Sequence, residues 1–167
     1  MIPVISFIGH HNAGKTRLLT RLVETLTERG LRVGAAKHAP HVIVADTPGS
    51  DSQLLREAGA HRMLLLGSDS AVLTWTHPAG KDLEPEIQRL FCDCDLVLIE
   101  GLKHGPFPKI EVFRRTGKIP QEPLAGDIDV IAVVSDAAIA LPDGTASFSP
   151  RNREAIADFL EMRFLSR

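Results

Sequence analysis

Gly9-His10-His11-Asn12-Ala13-Gly14-Lys15-Thr16 decides the reading of this chain of 167 residues. The octapeptide fits G-x-x-x-x-G-K-[ST] at every defined position, and both flanks agree with it. Before it, residues 2 to 8 form a short apolar run ending at Gly9, as a buried strand does. After it the apolar period lengthens. Leu18, Leu19, Leu22, Val23 and Leu26 follow one helical stripe between Gly14 and Arg29, and Gly30 is the stop. Glycines 9 and 14 let the backbone wrap closely, so successive N–H groups point at phosphate oxygens, and the helix N-terminus adds partial positive charge. Lys15 is the candidate to reach the β- and γ-phosphates, and the Thr16 hydroxyl can ligate Mg2+. His11, Asn12 and Ala13 complete a loop whose backbone matters more than its side chains. ATP and GTP suit such a loop alike, so the base must be decided elsewhere.

Outward from the loop, residues 32 to 36 read as a second strand. Residues 37 to 51 are polar, with Pro40, Pro48 and Gly49, and read as a mobile loop. A short helix is expected from Ser52 to about Ala58, then two strands at 62 to 67 and 70 to 76 joined by a tight turn. Residues 84 to 91 predict a helix, and Asp95 to Glu100 a buried strand ending in an acid. Lys109 to Arg114 alternates apolar and polar residues, which predicts a half-exposed strand. Residues 129 to 134 predict another strand, and Arg151 to Phe164 a final helix. Strands alternating with helices imply an α/β sheet, and the strand pairs close in sequence suggest that it is mixed. No composition break demands a second domain, so residues 1 to 167 are expected to form one.

Composition removes several function classes. The chain has 19 Lys plus Arg against 21 Asp plus Glu, a formal charge of −2, which argues against a broad basic surface for nucleic acid. No apolar run approaches the roughly 18 residues of a membrane helix, and the N-terminus lacks the basic region of a signal peptide. Two cysteines, Cys92 and Cys94, are too few for a disulfide scaffold. They flank a buried strand and are expected in or near the core. A soluble, cytoplasmic protein is the default.

A phosphate loop of this kind needs a carboxylate at the end of a neighbouring strand, near the metal. Glu100 ends Leu96-Val97-Leu98-Ile99 and is the first choice. Asp46, in Asp46-Thr47-Pro48-Gly49, matches the D-x-x-G of nucleotide-switch loops, but that composition is also a common turn. Asp51 is a second candidate near phosphate, although Ser50-Asp51-Ser52 reads equally as a helix cap. Asp136, after the strand ending at Val134, is a candidate base reader. A carboxylate there can accept from guanine N1–H and the 2-amino group, even though no Asn-Lys-x-Asp motif is present.

The phosphate loop, Lys37-His38, His41, Asp46, Gly49, Asp51-Ser52, Ala58-Gly59-Ala60, Asp95 to Gly101 and Lys109-Ile110-Glu111-Val112 occur in that order. This series resembles the molybdopterin-guanine dinucleotide biosynthesis adaptor family, MobB, from the N-terminus to about Arg114 and again at Val133 to Asp136. The resemblance implies a three-layer α/β fold of the P-loop NTPase type with a mixed, mostly parallel sheet. It implies a cytoplasmic homodimer that binds GTP with Mg2+, hydrolyses it slowly at most, and assists a molybdenum cofactor guanylyltransferase. Molybdopterin is a second candidate contact. Carried over by position, residues 12 to 16 would bind phosphates, Thr16 and Glu100 would serve Mg2+, and Asp46 and Asp51 would lie near the phosphates. The chain departs from the common pattern at His11, Arg17, Ser50 and Leu102, which bears on the positive charge around the site.

Other features support rival readings. His38 and His41 lie three apart beside Lys37, and suit a GTPase metallochaperone only with further soft ligands. A small-molecule kinase would use the same loop and Glu100, but no arginine-rich lid insertion is evident. A switch-type GTPase built on Asp46 to Gly49 lacks the guanine motif. Lys103, His104, Lys109, Arg114 and Arg115 form a local basic run that suits a phosphorylated pterin, an acidic partner or plain solvent. The segment Lys109 to Arg114 is also a candidate for edge-to-edge pairing across a dimer.

Overall fold

The computed structural model describes residues 1–39, 47–76, 82–115 and 122–166. In chain order these form β1 (Val4–Ile8), α1 (Lys15–Glu28), β2 (Val33–Lys37), α2 (Asp51–Glu57), β3 (Arg62–Leu66), β4 (Ala71–Trp75), α3 (Glu84–Leu90), β5 (Leu96–Glu100), β6 (Lys109–Phe113), a 3-10 turn at Leu124–Gly126, β7 (Ala132–Ser135), β8 (Ala146–Phe148) and α4 (Arg153–Phe164). His41 and Asp46, with the rest of 40–46, lie outside the described residues. The elements group into two compact units, Met1–His38 with Glu84–Arg167, and Ala39–Leu83.

In the first unit six strands pair in the order β2-β5-β1-β6-β7-β8, every pair parallel. Parallel strands are covered on both faces and so read as continuous apolar runs. All five residues of β1 are buried, and so are Leu96 to Ile99 of β5. One face carries α1 and α4, whose Leu22, Leu26, Ile156 and Leu160 pack on Ile5 and Phe7. Arg29, at the end of α1, ties the two helices by pairing with Glu154, Asp158 and Glu161 at 2.5 to 2.8 Å. On the opposite face, Phe91 just after α3 lies so close to β2 that a Cβ on Gly34 would stand 2.6 Å from its ring. There the 3-10 turn brings Ala125 against Ile8, Phe113 and Val133.

The α/β fold and most elements agree with the sequence reading, with three differences. The main sheet is parallel throughout, and antiparallel pairing among the described residues is confined to β3 and β4. Strand β6 is central and buried rather than half-exposed, and both its edges are taken by β1 and β7, so it is not open to a dimer partner. Its polar residue Glu111 is fully buried because both carboxylate oxygens accept backbone N–H groups, Leu124 at 2.7 Å and Ala125 at 2.9 Å. Cys92 is exposed and Cys94 half-buried, so Cys92 is no core residue.

The second unit holds α2 and the β3–β4 hairpin. Ser50 caps α2, its Oγ accepting from the Gln53 N–H at 3.3 Å, which makes Asp51 the first helical residue. The hairpin closes with Gly67 N–H donating to Ser70 O at 2.8 Å and pairs Arg62 with Trp75 through to Leu66 with Ala71. Leu64, Leu65, Leu66 and Val72 are each at least half exposed.

Candidate functional site

The carboxyl ends of the central strands converge on the loop between β1 and α1. Gly9 turns the chain out of β1 at φ +145, and a Cβ there would meet the Val112 carbonyl oxygen at 2.2 Å. Only glycine can pass so close to β6 with that backbone. Asn12 and Gly14 also have positive φ, 61° and 95°, and lead into α1. No side chain caps α1, and its first turn holds no acid, so its leading N–H groups face the loop. Ala13 is buried, while His11 and Asn12 are exposed.

Lys15 folds back over the loop, its Nζ donating to Gly9 O at 3.0 Å and His10 O at 2.8 Å. Burial pushes its pKa below the ordinary lysine value and Lys37 adds to this, while Glu100 opposes both. The Thr16 hydroxyl donates to Glu100, with both carboxylate oxygens at 2.9 Å. Parallel pairing explains this meeting. β5 lies beside β1 with Phe7 opposite Glu100, so Glu100 emerges level with the loop. Gly101 and Leu102, at φ 93° and 59°, then turn the chain away. Hydroxyl and carboxylate form an all-oxygen donor pair. That suits Mg2+, which binds one or two carboxylates and completes its shell with phosphate and water.

Three contacts here escape the sequence reading. Lys37 sits opposite Glu100 in the β2–β5 register, with its Nζ 3.4 Å from the carboxylate. Two residues were therefore adjacent that lie far apart in the chain. His10 does use its side chain, its Nε2 donating to Glu122 O at 2.9 Å. That carbonyl belongs to the segment that Glu111 anchors. Lys109, part of the basic run, spends its ammonium on Gly105 O and Phe107 O, both at 2.9 Å.

Asp136 lies on the other side of the loop, on a cleft of about 250 Å3 whose wall includes Ala13, Gly14 and four arginines. It is exposed, and Ser149 Oγ donates to its Oδ1 at 3.4 Å. Gly9, the loop residues, Lys15, Thr16, Glu100 and Asp136 thus border one stretch of the sheet's carboxyl edge. Asp51 belongs to the other unit, where it opens α2. Among the described residues no group of three or more His, Cys, Asp and Glu is assembled that could hold a metal ion. No helix among them is long and apolar enough to cross a membrane.

Comparison with known proteins identifies the family and agrees with the fold. The family model "MobB: Molybdopterin guanine dinucleotide synthesis protein B" matches residues 4–136. The chain is 36% identical over 163 residues to a molybdopterin-guanine dinucleotide biosynthesis adapter protein of Escherichia coli (strain K12), covering 96% of this chain and 92% of that one. A protein of the same description from Haemophilus influenzae is 34% identical, covering 96% and 88%. The crystal structure of Bacillus subtilis MobB superposes with a TM-score of 0.72 at 25% identity, covering 98% of both chains. The chain belongs to the MobB family.

Proposed function

We propose that this chain binds GTP with Mg2+ on the loop between β1 and α1, and acts as an adaptor in molybdopterin-guanine dinucleotide biosynthesis. It assists a guanylyltransferase that joins GMP to molybdopterin, in the cytoplasm, with slow GTP hydrolysis of its own. The observation that carries the nucleotide reading is the Thr16–Glu100 contact at 2.9 Å beside the folded-back Lys15. Those groups are the phosphate- and metal-binding parts such a loop needs. The adaptor reading is supported by the names of the relatives, which match nearly the whole chain.

Each residue has a part. Lys15 exchanges its two loop carbonyls for phosphate oxygens, and the N–H groups at the start of α1 receive the rest of the phosphate charge. Thr16 and Glu100 hold Mg2+, which screens the charge between phosphates when bound. Lys37 balances the Glu100 carboxylate. Asp136 accepts from the guanine N1–H and 2-amino group. The hairpin leucines of the second unit support a homodimer, because a lone two-stranded sheet with apolar faces is marginal in water.

The test is calorimetric titration of the full chain with non-hydrolysable GTP and ATP analogues and Mg2+, followed by a partner-transferase assay. Guanine preference with stimulation of the transferase is the expected result. Adenine preference overturns the reading in favour of a small-molecule kinase.

A further inference from the structure

The basic run after β5 does not act as one surface. Lys109 is spent on Gly105 O and Phe107 O, and Arg114 lines the cleft on the other side of the phosphate loop. Lys103 and His104 remain. Both are exposed, and among the described residues neither the side chain nor the backbone N–H of either has a hydrogen-bond or ion-pair partner. The carboxylate closest to them in the chain, Glu100, is already engaged by Thr16 and Lys37. Exposed polar residues on a pliant loop would need no explanation. These two are held on a fixed one.

Residues 101–108 carry the chain from the end of β5 across β1 to the start of β6. Gly101 N–H donates to Phe7 O at 2.9 Å, which pins the start of this connection to β1. Leu102 follows at φ 59°, a conformation that strains a leucine. Gly105 N–H then donates to Leu102 O at 3.0 Å and closes a β-turn with Lys103 and His104 at its two central positions. The turn is packed as well as bonded. A Cβ on Gly105 would stand 2.7 Å from Leu102 Cγ, so glycine is what lets the leucine side chain close against it. The Lys109 ammonium holds the Gly105 and Phe107 carbonyls from β6, and Phe107 is buried. A strained leucine, a space-limited glycine and a half-buried lysine thus fix two side chains that bond to nothing in the fold. Strain of this kind clusters at functional sites.

His38 stands beside the start of the connection, where a Cβ on Gly101 would lie 3.4 Å from its carbonyl oxygen and 3.5 Å from its Cβ. We propose that the Lys103–His104 turn, with His38 beside it, is the docking point for an acidic surface on a protein partner. Charge complementarity selects the occupant. An ammonium, imidazole N–H groups and free backbone N–H groups are donors suited to carboxylates. A turn fixed in advance loses little freedom on association, and exposed charge steers encounter with a surface of opposite sign. An exposed turn also suits a protein face, whereas small molecules are held in concave pockets. The turn begins two residues after Glu100, so a partner seated on it is brought next to the phosphate loop. The proposal rests on the adaptor reading and takes the guanylyltransferase as the partner.

The experiment measures association and dissociation rates between the full chain and the guanylyltransferase of the same organism at several salt concentrations. The variants are Lys103→Glu with His104→Gln, Gly105→Val, and Arg163→Glu, an exposed cation beside the segments that lead into β7 and β8. The charge variant of the turn is expected to associate about tenfold more slowly at low salt, with the gap closing as salt rises. Gly105→Val keeps every charge but displaces the turn, and is expected to dissociate faster. Arg163→Glu is expected to leave both rates nearly unchanged. An equal loss in Arg163→Glu overturns the proposal, because net charge alone then governs the encounter. Unaltered rates in both turn variants also overturn it, while leaving the adaptor reading intact. So does a loss of GTP-analogue affinity in the charge variant by calorimetry, which would assign the turn to the nucleotide. Failure of the unaltered chain to bind the transferase overturns the adaptor reading and the proposal together.

Discussion

Lys15 shows what a single side chain does before any ligand arrives. Its ammonium is held by two loop carbonyls and partly desolvated, which is why its pKa lies below the ordinary value. Replacing it with alanine removes two hydrogen bonds and a partly buried charge together, effects that oppose each other. Lys15→Ala is therefore expected to keep the thermal midpoint near that of the unaltered chain, a change of about 1 kcal/mol or less, while losing GTP binding in calorimetry. Glu111 makes the opposite case. Its carboxylate is fully buried and satisfies two backbone N–H groups. Glu111→Ala strands both donors, and denaturant titration is expected to show a loss of roughly 2–4 kcal/mol. Lys15, Thr16 and Glu100 were legible in the sequence because their chemistry is local, a motif and a strand end. The role of Glu111 was not. Its alternation with Ile110 and Val112 looks like an exposed face, and the donors that let it sit inside come from residues 124 and 125.

Among elements, the passage from β1 into α1 is the most constrained. Gly9→Ala would press a methyl group against the Val112 carbonyl oxygen, which is backbone and cannot rotate aside. The expected outcome is a loss of about 2–3 kcal/mol or more in denaturant unfolding, with nucleotide binding abolished in whatever remains folded. Where β2 and β5 begin, Arg32 N–H donates to Asp95 Oδ2 at 2.7 Å, and the guanidinium pairs with the same carboxylate. The side-chain and backbone hydrogen bonds from Arg32 hold the Asp95 carboxyl below the usual carboxylate range. Its contribution is therefore present above the unfolded value of about 3.9 and is lost as pH falls through the lower folded value. The difference in thermal midpoint between the unaltered chain and Asp95→Asn should be flat near neutrality and shrink as pH drops below about 4. Helices α1 and α4 were legible as apolar stripes. The order of the strands was not, because nothing within β5 or β6 tells the chain that they close on either side of β1. Strand β8, only three residues long, carries too little pattern to be read.

At the scale of the whole molecule, the second unit displays apolar surface that a lone chain leaves wet. Leu64 and Leu66 share one face of the hairpin with their partners Leu73 and Ala71. If a second copy covers that face, sedimentation of the unaltered chain will show dimers that dissociate on dilution. Leu64→Glu with Leu66→Glu will sediment as a monomer with GTP binding retained, and a variant that stays dimeric would place the contact elsewhere. The strand order also has a consequence for synthesis. β1 is made early, yet its two neighbours in the sheet are β5, where Val4 pairs with Val97, and β6, where Ser6 pairs with Lys109. The loop after β1 takes its shape from the Val112 carbonyl and from Glu100, so it cannot form while only the first half of the chain has left the ribosome. A nascent or prematurely terminated chain thus carries the whole octapeptide motif without the site, and ligand cannot guide folding until the later strands are in place.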